Sequence, residues 1–505
     1  MTRLRAEPRC IAFALAACAL AAHAQQGATV QTSIGVTQGW TDNLRLTEDN
    51  KDAALVTTVS PGVRLVSNSG AVRGNLDYSL NGIAYVKSDQ AARVQNALSA
   101  TGQAELIART LFVDARATIG QQSASAFGLQ SAPTLGSQGS VSSLANANQR
   151  ETGTLTVSPS LRGQLGSVAT YELRGDFSRT DARGSSVGDS HSRGGSLRVN
   201  QANAGVAGWW VMATSQEVKA NSVASNSNET LKLGLDYHPD VDWSFTLNAG
   251  RERNNYLGGG SQDGNTGGIA SQWTPTERTQ IGADWQYHNY GDSHGLNFTH
   301  RMAHSVWRLS DTVATTLGNT GASGGTGTFY DLYYLLFASV EPDPVKRDVL
   351  VRAYLQSQNL SPDAVASSGF LSAGPSRVHS QQLAITLQGV RSTLSALASR
   401  SVTSRLGSGL NAGDLANTSR VEQRSYSLTA THQLTPLSGL SLSVARQESR
   451  GDTAAQSTQL TSLLASWNAR LGERLNLLLG ARHSRFEGVT SYAENSVYAS
   501  LTQQF

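Results

Sequence analysis

The strongest candidate for catalysis or metal binding is the group His288, Asp292, His294 and His300, three imidazoles and a carboxylate in one short stretch. Neutral imidazole nitrogens and carboxylate oxygens are zinc-type donors, and a His–Asp pair can also move a proton. The residues around them, Asn289-Tyr290-Gly291 and Ser293-His294-Gly295, are loop formers, however. A polar loop has this composition without any chemistry, so neither a catalytic nor a metal role is assigned. The glycine run Gly258-Gly259-Gly260 is followed by Ser261-Gln262-Asp263 and not by Lys-Ser/Thr, which makes it a flexible loop and not a phosphate cradle. The two cysteines, Cys10 and Cys18, lie near the N-terminus and leave with the leader described below if cleavage follows Ala24. No thiolate nucleophile, disulfide or cysteine ligand then remains. The expectation is no enzyme, no cofactor and no bound metal.

What must carry these residues is a repeated β-strand pattern. At the C-terminal end Val497, Ala499, Leu501 and Phe505 share one face, interrupted only by Gln503. An apolar face for lipid, a polar face for a wet lumen and a terminal aromatic are the marks of an outer-membrane strand. Val497, Leu501 and Phe505 are assigned as the assembly signal, addressed to the barrel-assembly machinery. Alternation alone would also suit a soluble β-sandwich. The N-terminus decides between them: Arg3, Arg5 and Arg9 precede an apolar run over 10–22, and Ala22-His23-Ala24 is a small-x-small cleavage pattern. Residues 1–24 are therefore expected to be a signal peptide and 25–505 the barrel. Leu15-Ala16-Ala17-Cys18 also fits a lipoprotein box, with acylation at Cys18 as the alternative.

From Val30 onward alternating segments recur. Val72, Gly74, Leu76, Tyr78, Leu80 and Ala84 oppose Arg73, Asn75, Asp77, Ser79 and Asn81; Leu231, Leu233, Leu235 and Tyr237 oppose Lys232 and Asp236. Tight turns at Asn68-Ser69-Gly70, Ile107-Ala108-Arg109, Pro239-Asp240-Val241, Pro275 to Arg278, Pro436-Leu437-Ser438 and Gly472-Glu473-Arg474 alternate with longer polar loops. The loops fall near 42–53, 121–150, 181–192, 219–228, 255–264, 312–378, 402–420, 448–456 and 485–492. Short turns at one end and long loops at the other are what a transmembrane antiparallel up-and-down barrel shows. The count is about 22 strands, within 18–24, and an even number returns Phe505 to the periplasmic side. Trp40, Tyr78, Trp209, Trp210, Tyr237, Trp243, Trp273, Trp285, Trp307 and Trp467 are placed in the interfacial girdles. Strands beginning at Val30 are expected to leave no room for an N-terminal plug domain. The echo of Thr58-Val59-Ser60-Pro61-Gly62 in Thr156-Val157-Ser158-Pro159-Ser160 is assigned to a shared barrel device, with each proline at an edge, a bulge or a strand end.

One segment breaks the period of two. Phe329, Leu332, Leu335, Leu336 and Val340 recur at helical spacing, Asp343-Pro344 supplies an N-cap and first-turn proline, and Val345, Val349 and Ala353 give a second stripe. This small helical insertion within the 312–378 loop either gates the lumen or packs on itself above the rim. The gate residues would be Phe329, Leu332, Leu336, Asp343, Pro344, Val345 and Arg347. After the leader no apolar run is long enough for a membrane-spanning helix. A formal net charge of +3 over 505 residues gives no argument for nucleic acid. The lumen face mixes amides, hydroxyls and charges of both signs, which suits neutral or mildly charged hydrophilic solutes such as sugars.

Thr41-Asp42-Asn43-Leu44 with Leu46, Thr58-Val59-Ser60-Pro61-Gly62, and Asp343-Pro344-Val345 with Arg347 resemble the outer-membrane β-barrels of exopolysaccharide and PEP-CTERM/exosortase loci, within a β-barrel porin group. The resemblance covers most of the mature chain, and Gln503 departs from the apolar residue expected at that place. It implies outward passage of polysaccharide across the outer membrane of a Gram-negative bacterium, downstream of a periplasmic export conduit. A general or sugar-uptake porin is the alternative, and a surface hydrolase on a barrel the third reading. That last reading would make His288 or His294 essential.

Overall fold

The computed structural model describes residues 28–86, 88–131, 146–185, 187–221, 223–258, 260–317, 330, 333, 334, 337, 347, 348, 350, 351, 369–407 and 411–505. The expected leader over 1–24, with Cys18, lies outside the described residues, as do Phe329, Leu332, Leu336, Asp343, Pro344 and Val345.

Among the described residues 22 strands form one sheet, each paired antiparallel with its neighbour in sequence. The first strand, Ala28–Thr41, pairs with the last, Tyr492–Gln504, from Ser33↔Gln504 to Thr41↔Ser496, so the sheet closes on itself and has no edge. A small separate pair, Ser372–Ala373 with Ala412–Gly413, lies in the loops. The tight turns fall where the sequence places them, at 69–71, 108–110, 238–242, 277–278, 436–437 and 471–474, all at the end that holds both described termini. The other end carries the long connections, among them 42–53, 124–148, 317–375 and 406–419.

One expected loop is absent. Over 219–228 the strands continue to Ala220 and restart at Val223, with a register shift between Val223 and Asn226. Ser225 Oγ donates to Glu217 Oε1 at 3.0 Å across this turn. The Asn- and Ser-rich sequence looks like loop because strand tips that rise past the lipid need no apolar face.

Period-two geometry divides the wall cleanly. Leu231, Leu233 and Leu235 stand on the outer surface at 54–61% exposure, with Leu247, Ile269, Leu309, Leu383, Leu428, Leu442 and Leu463 on the same face of other strands. That apolar belt is what lets strands of mixed composition cross lipid without a hydrophobic helix. Trp243 stacks on Trp273 at 5.1 Å and on Phe245 at 5.4 Å beside the short turns, which supplies part of the girdle there. Trp210 does not belong to it. Adjacent residues of a strand face opposite sides, so Trp209 points out while Trp210 is 7% exposed inside. Its indole lies over Gly234, where a Cβ would come within 2.1 Å of the ring, and its Nε1 donates to Asp236 at 3.2 Å.

The two echoed prolines also depart from expectation, since neither sits at an edge, a bulge or a strand end. Pro61 lies within Ala54–Asn68 opposite Ile34, and Pro159 within Gln149–Leu165 opposite Val113. On the other side of each strand the pairing passes from Val59↔Gly82 to Gly62↔Ser79, and from Val157↔Phe177 to Ser160↔Arg174, without a register shift. A missing proline N–H removes rungs on one side only, which a long ladder tolerates.

Val497 and Leu501 stand on the outer face and Phe505 follows the last strand at 62% exposure, its N–H donating to Thr32 O at 2.8 Å.

Candidate functional site

The lumen is the candidate site, and its wall has two unlike halves. From Ser376 round to Gln504 and on through the first two strands, many inward residues are buried small hydroxyls, Thr386, Ser395, Thr429, Thr431, Ser443, Ser462, Ser500, Thr37 and Thr58, with Leu397, Leu464 and Leu478 buried on the same face. Several bond to one another across strands, as Thr37 Oγ1 to Ser500 Oγ at 2.9 Å and Thr429 with Ser443 at 3.1 Å. A bare wall of a barrel this wide would leave such side chains wet.

The opposite half, from Val72 to Tyr237, carries charged inward residues that stay half-exposed, beside buried ones such as Ile83, Ser160 and Trp210. Arg174 bridges Asp114 at 2.9 Å and Asp176 at 3.1 Å, Arg162 faces Glu172 at 3.3 Å, and Arg64 of the second strand faces Asp77 at 3.5 Å. Arg198 lies over the Trp210 ring at 5.1 Å, and Thr246 donates to Asp236 at 2.6 Å. Paired charges of both signs give a polar track with no strong preference for either sign of ion.

Part of the covering of the first half is visible. Tyr330, Tyr333, Tyr334, Arg347, Asp348, Leu350 and Val351 are helical. Tyr333 is 1% exposed, Val351 0% and Phe337 8%. The Tyr333 hydroxyl lies 3.5 Å from Ser395 Oγ. Ser395 is inward-facing and close to the start of the Ser392–Arg405 strand, at the short-turn end. The strand that leads to Tyr333, Ser305–Thr316, ends at the opposite, long-loop end. Tyr333 therefore sits most of a barrel's depth below the point where its segment leaves the wall. Arg347 stacks over the Tyr334 ring at 4.8 Å, Tyr330 stacks on Tyr334 at 5.5 Å, and the Tyr330 hydroxyl donates to Asp348. Among the gate residues of the sequence, Arg347 is the one whose position is described, and it joins the two helical stretches.

The long-loop end is packed as well. The segment 123–131 leans inward: Ala126 joins Phe370, Leu415 and Val421 in one buried cluster, and Leu129 packs on another of Leu46, Leu460, Phe486 and Tyr492. Tyr492 Oη donates to Gln130 O at 2.7 Å, and Leu371 N to Ser123 O at 3.0 Å. The Asp414 carboxylate accepts from Ser125 Oγ at 2.7 Å and Ala126 N at 2.6 Å, and burial nevertheless pushes its carboxyl above the usual range. Burial likewise raises the phenols of Tyr256 and Tyr290 in neighbouring loops. Beneath this cap Arg482 and Glu494 are paired at 3.1 Å with 5% and 1% side-chain exposure, and Thr41 Oγ1 donates to Glu494 at 2.8 Å.

The histidine cluster of the sequence is dispersed. His288 Nδ1 meets inward-facing Glu252 at 2.7 Å and stacks on Tyr290; His300 Nδ1 meets Thr279 Oγ1 at 2.8 Å near the short turns; the carbonyl of Asp292 accepts from Arg377. His294 instead joins Asp311 and His379 on adjacent strands. Sequence spacing could not find Glu252, Asp311 or His379, since only strand register brings them together. Tyr333, Ser395 and Asp414 were missed because the packing of loop segments on the wall and on one another, and no local spacing, brings them to their partners.

No protein-family model matches the chain, and no curated protein does. Among solved structures, it is similar to the FrpB iron transporter from Neisseria meningitidis (F5-1 variant), at 11% identity and a TM-score of 0.48 over 96% of this chain and 84% of that one. It is similar also to the siderophore receptor PirA from Pseudomonas aeruginosa (11%, TM-score 0.42, 94% and 80%) and to OccAB4 from Acinetobacter baumannii (8%, TM-score 0.37, 95% and 99%). Likeness at this level carries no argument about what passes through the barrel. The closed wall of 22 strands, its apolar outer belt and its short turns at one end define an outer-membrane β-barrel.

Proposed function

We propose that the protein is an outer-membrane channel stoppered by its own 329–366 segment, and that its cargo is exopolysaccharide moving outward. The observation that carries the stopper is Tyr333, buried against Ser395 near the far end of the lumen from where its segment leaves the wall. Support for a carbohydrate cargo comes from the wall chemistry, hydroxyls on one half and paired charges of both signs on the other, together with the sequence resemblance to barrels of exopolysaccharide loci. A neutral, hydrated polymer slides past such a wall by exchanging one hydrogen bond for another, and no fixed field of one sign holds it. The partners in this reading are the surrounding lipid, the barrel-assembly machinery that reads Val497, Leu501 and Phe505, and a conduit that delivers polymer at the short-turn end.

The test is a clean deletion in the native host with polymer assayed separately at the surface and in the periplasm. Loss at the surface with accumulation in the periplasm supports export. Unchanged polymer in both places rejects it and leaves a sugar-uptake porin, which osmotic swelling of liposomes with graded sugars would then measure.

A further inference from the structure

We propose that His294, Asp311 and His379 form a site for one divalent transition metal of the zinc or copper(II) class on the outer face of the barrel. Strand register assembles it. His294, Val313 and His379 occupy one rung across three neighbouring strands, and Leu296, Asp311 and Gln381 occupy the next on the same face. That face is the outer one, because Leu296, Leu309 and Leu383 share its parity and are exposed. The trio lies just above them toward the long loops, where polar residues replace the apolar belt.

Nε2 of His294 lies 3.2 Å from Asp311 Oδ1 and Nε2 of His379 lies 3.0 Å from the same oxygen. The rings stand edge to face at 5.9 Å, and the three donor atoms lie within 4.8 Å of one another. A tetrahedral ion with bonds of about 2.0–2.2 Å keeps its donors roughly 3.3 Å apart, so both nitrogen–oxygen spacings already fit. The second oxygen is held elsewhere: Gln381 Nε2 donates to Asp311 Oδ2 at 2.7 Å. Arg400 Nη1 donates to Gln381 Oε1 at 3.2 Å, which fixes the orientation of that amide. Asp311 is thus turned so that Oδ1 faces the two imidazoles, the arrangement a ligand's outer partners impose. Side-chain exposures of 42%, 28% and 33% leave an open side where water completes the shell. Two imidazoles with one carboxylate suit zinc or copper and not magnesium or calcium, which take oxygen shells. The ion would join Ser293–Arg301 to Ser305–Thr316 and Ser376–Gln388, the last two being the strands that flank 317–375.

The test is calorimetric titration of the purified full-length barrel in detergent with Zn2+ and with Cu2+ in a non-chelating buffer. The expected result is one saturable site per chain at micromolar metal. His379→Ala and Asp311→Asn should each weaken it at least tenfold, and Gln381→Ala about tenfold. His483→Ala, elsewhere on the outer face, should leave it unchanged. Folding of each variant is read from its heat-modifiable migration; if Asp311→Asn fails to fold, His294→Gln carries the same comparison. Absence of saturable binding, or binding that survives in the folded ligand variants, overturns the proposal and leaves a trio in which both imidazoles simply donate to one carboxylate.

Discussion

Replacing Tyr333 by alanine removes an aromatic ring that is 1% exposed and lies against the inner wall at Ser395. Large-to-small changes at buried aromatic sites cost about 3–5 kcal/mol, most of it lost burial and the cavity left behind. If the ring docks the 329–366 segment on the wall, that cost falls on the docked state and hardly at all on the undocked one. At about 1.4 kcal/mol per factor of ten, the undocked population should rise on the order of 100-fold or more until it saturates. Tyr333→Phe keeps the ring and loses only a hydroxyl, a loss of no more than about 1.5 kcal/mol, and should move the population by about tenfold at most. Single-channel recording in planar bilayers reads this as the fraction of time in the high-conductance state. The expected order is alanine far above phenylalanine, and phenylalanine near the parent. Equal quiet in the alanine variant and the parent, with both correctly assembled, would refute the idea that this ring holds the stopper.

Other consequences follow from single contacts. Glu494→Gln leaves Arg482 charged and 5% exposed without its counter-ion, so the barrel should lose about 3–5 kcal/mol in urea unfolding. The Asp414 carboxyl is raised by burial, so the folded cap binds its proton more readily than the unfolded chain; cap stability is full below the ordinary carboxylate range and falls as pH rises through the raised value. Hydrogen exchange over 123–131 should therefore quicken across that window, and Asp414→Asn should flatten the dependence. Gly234→Ala puts a Cβ into the Trp210 ring and should cost about 1–3 kcal/mol, read as a lower yield of heat-modifiable barrel. Removing Phe505 should lower the assembled fraction in the outer membrane while total synthesis stays constant, as cell fractionation would show.

The wall was legible because a strand's two faces meet different solvents. Leu231-Lys232-Leu233 already states which residues meet lipid, and Asn68-Ser69-Gly70 states where the chain turns. Where those rules weaken, reading failed. Over 219–228 the strands run on to Ala220 and restart at Val223, so polar composition there does not mean loop. Trp209-Trp210 shows that residue type alone cannot place a girdle, since adjacent positions face opposite sides. The site was less legible than the wall. The spacing of His288, Asp292, His294 and His300 suggested a cluster, yet each histidine takes a partner from outside it, Glu252, Asp311 or Thr279. Such pairs depend on register across strands far apart in sequence. The stripe of Phe329, Leu332, Leu335, Leu336 and Val340 lies outside the described residues, and the contact of Tyr333 with Ser395 is a tertiary fact that no local pattern encodes.

The most direct test is planar-bilayer conductance of the intact protein beside a variant in which 329–366 is replaced by a short Gly/Ser linker, both shown to be assembled. A lumen stoppered by that segment predicts a low or flickering current in the intact barrel and a large, steady one in the variant. The same steady current in both would contradict it and make the protein an open porin.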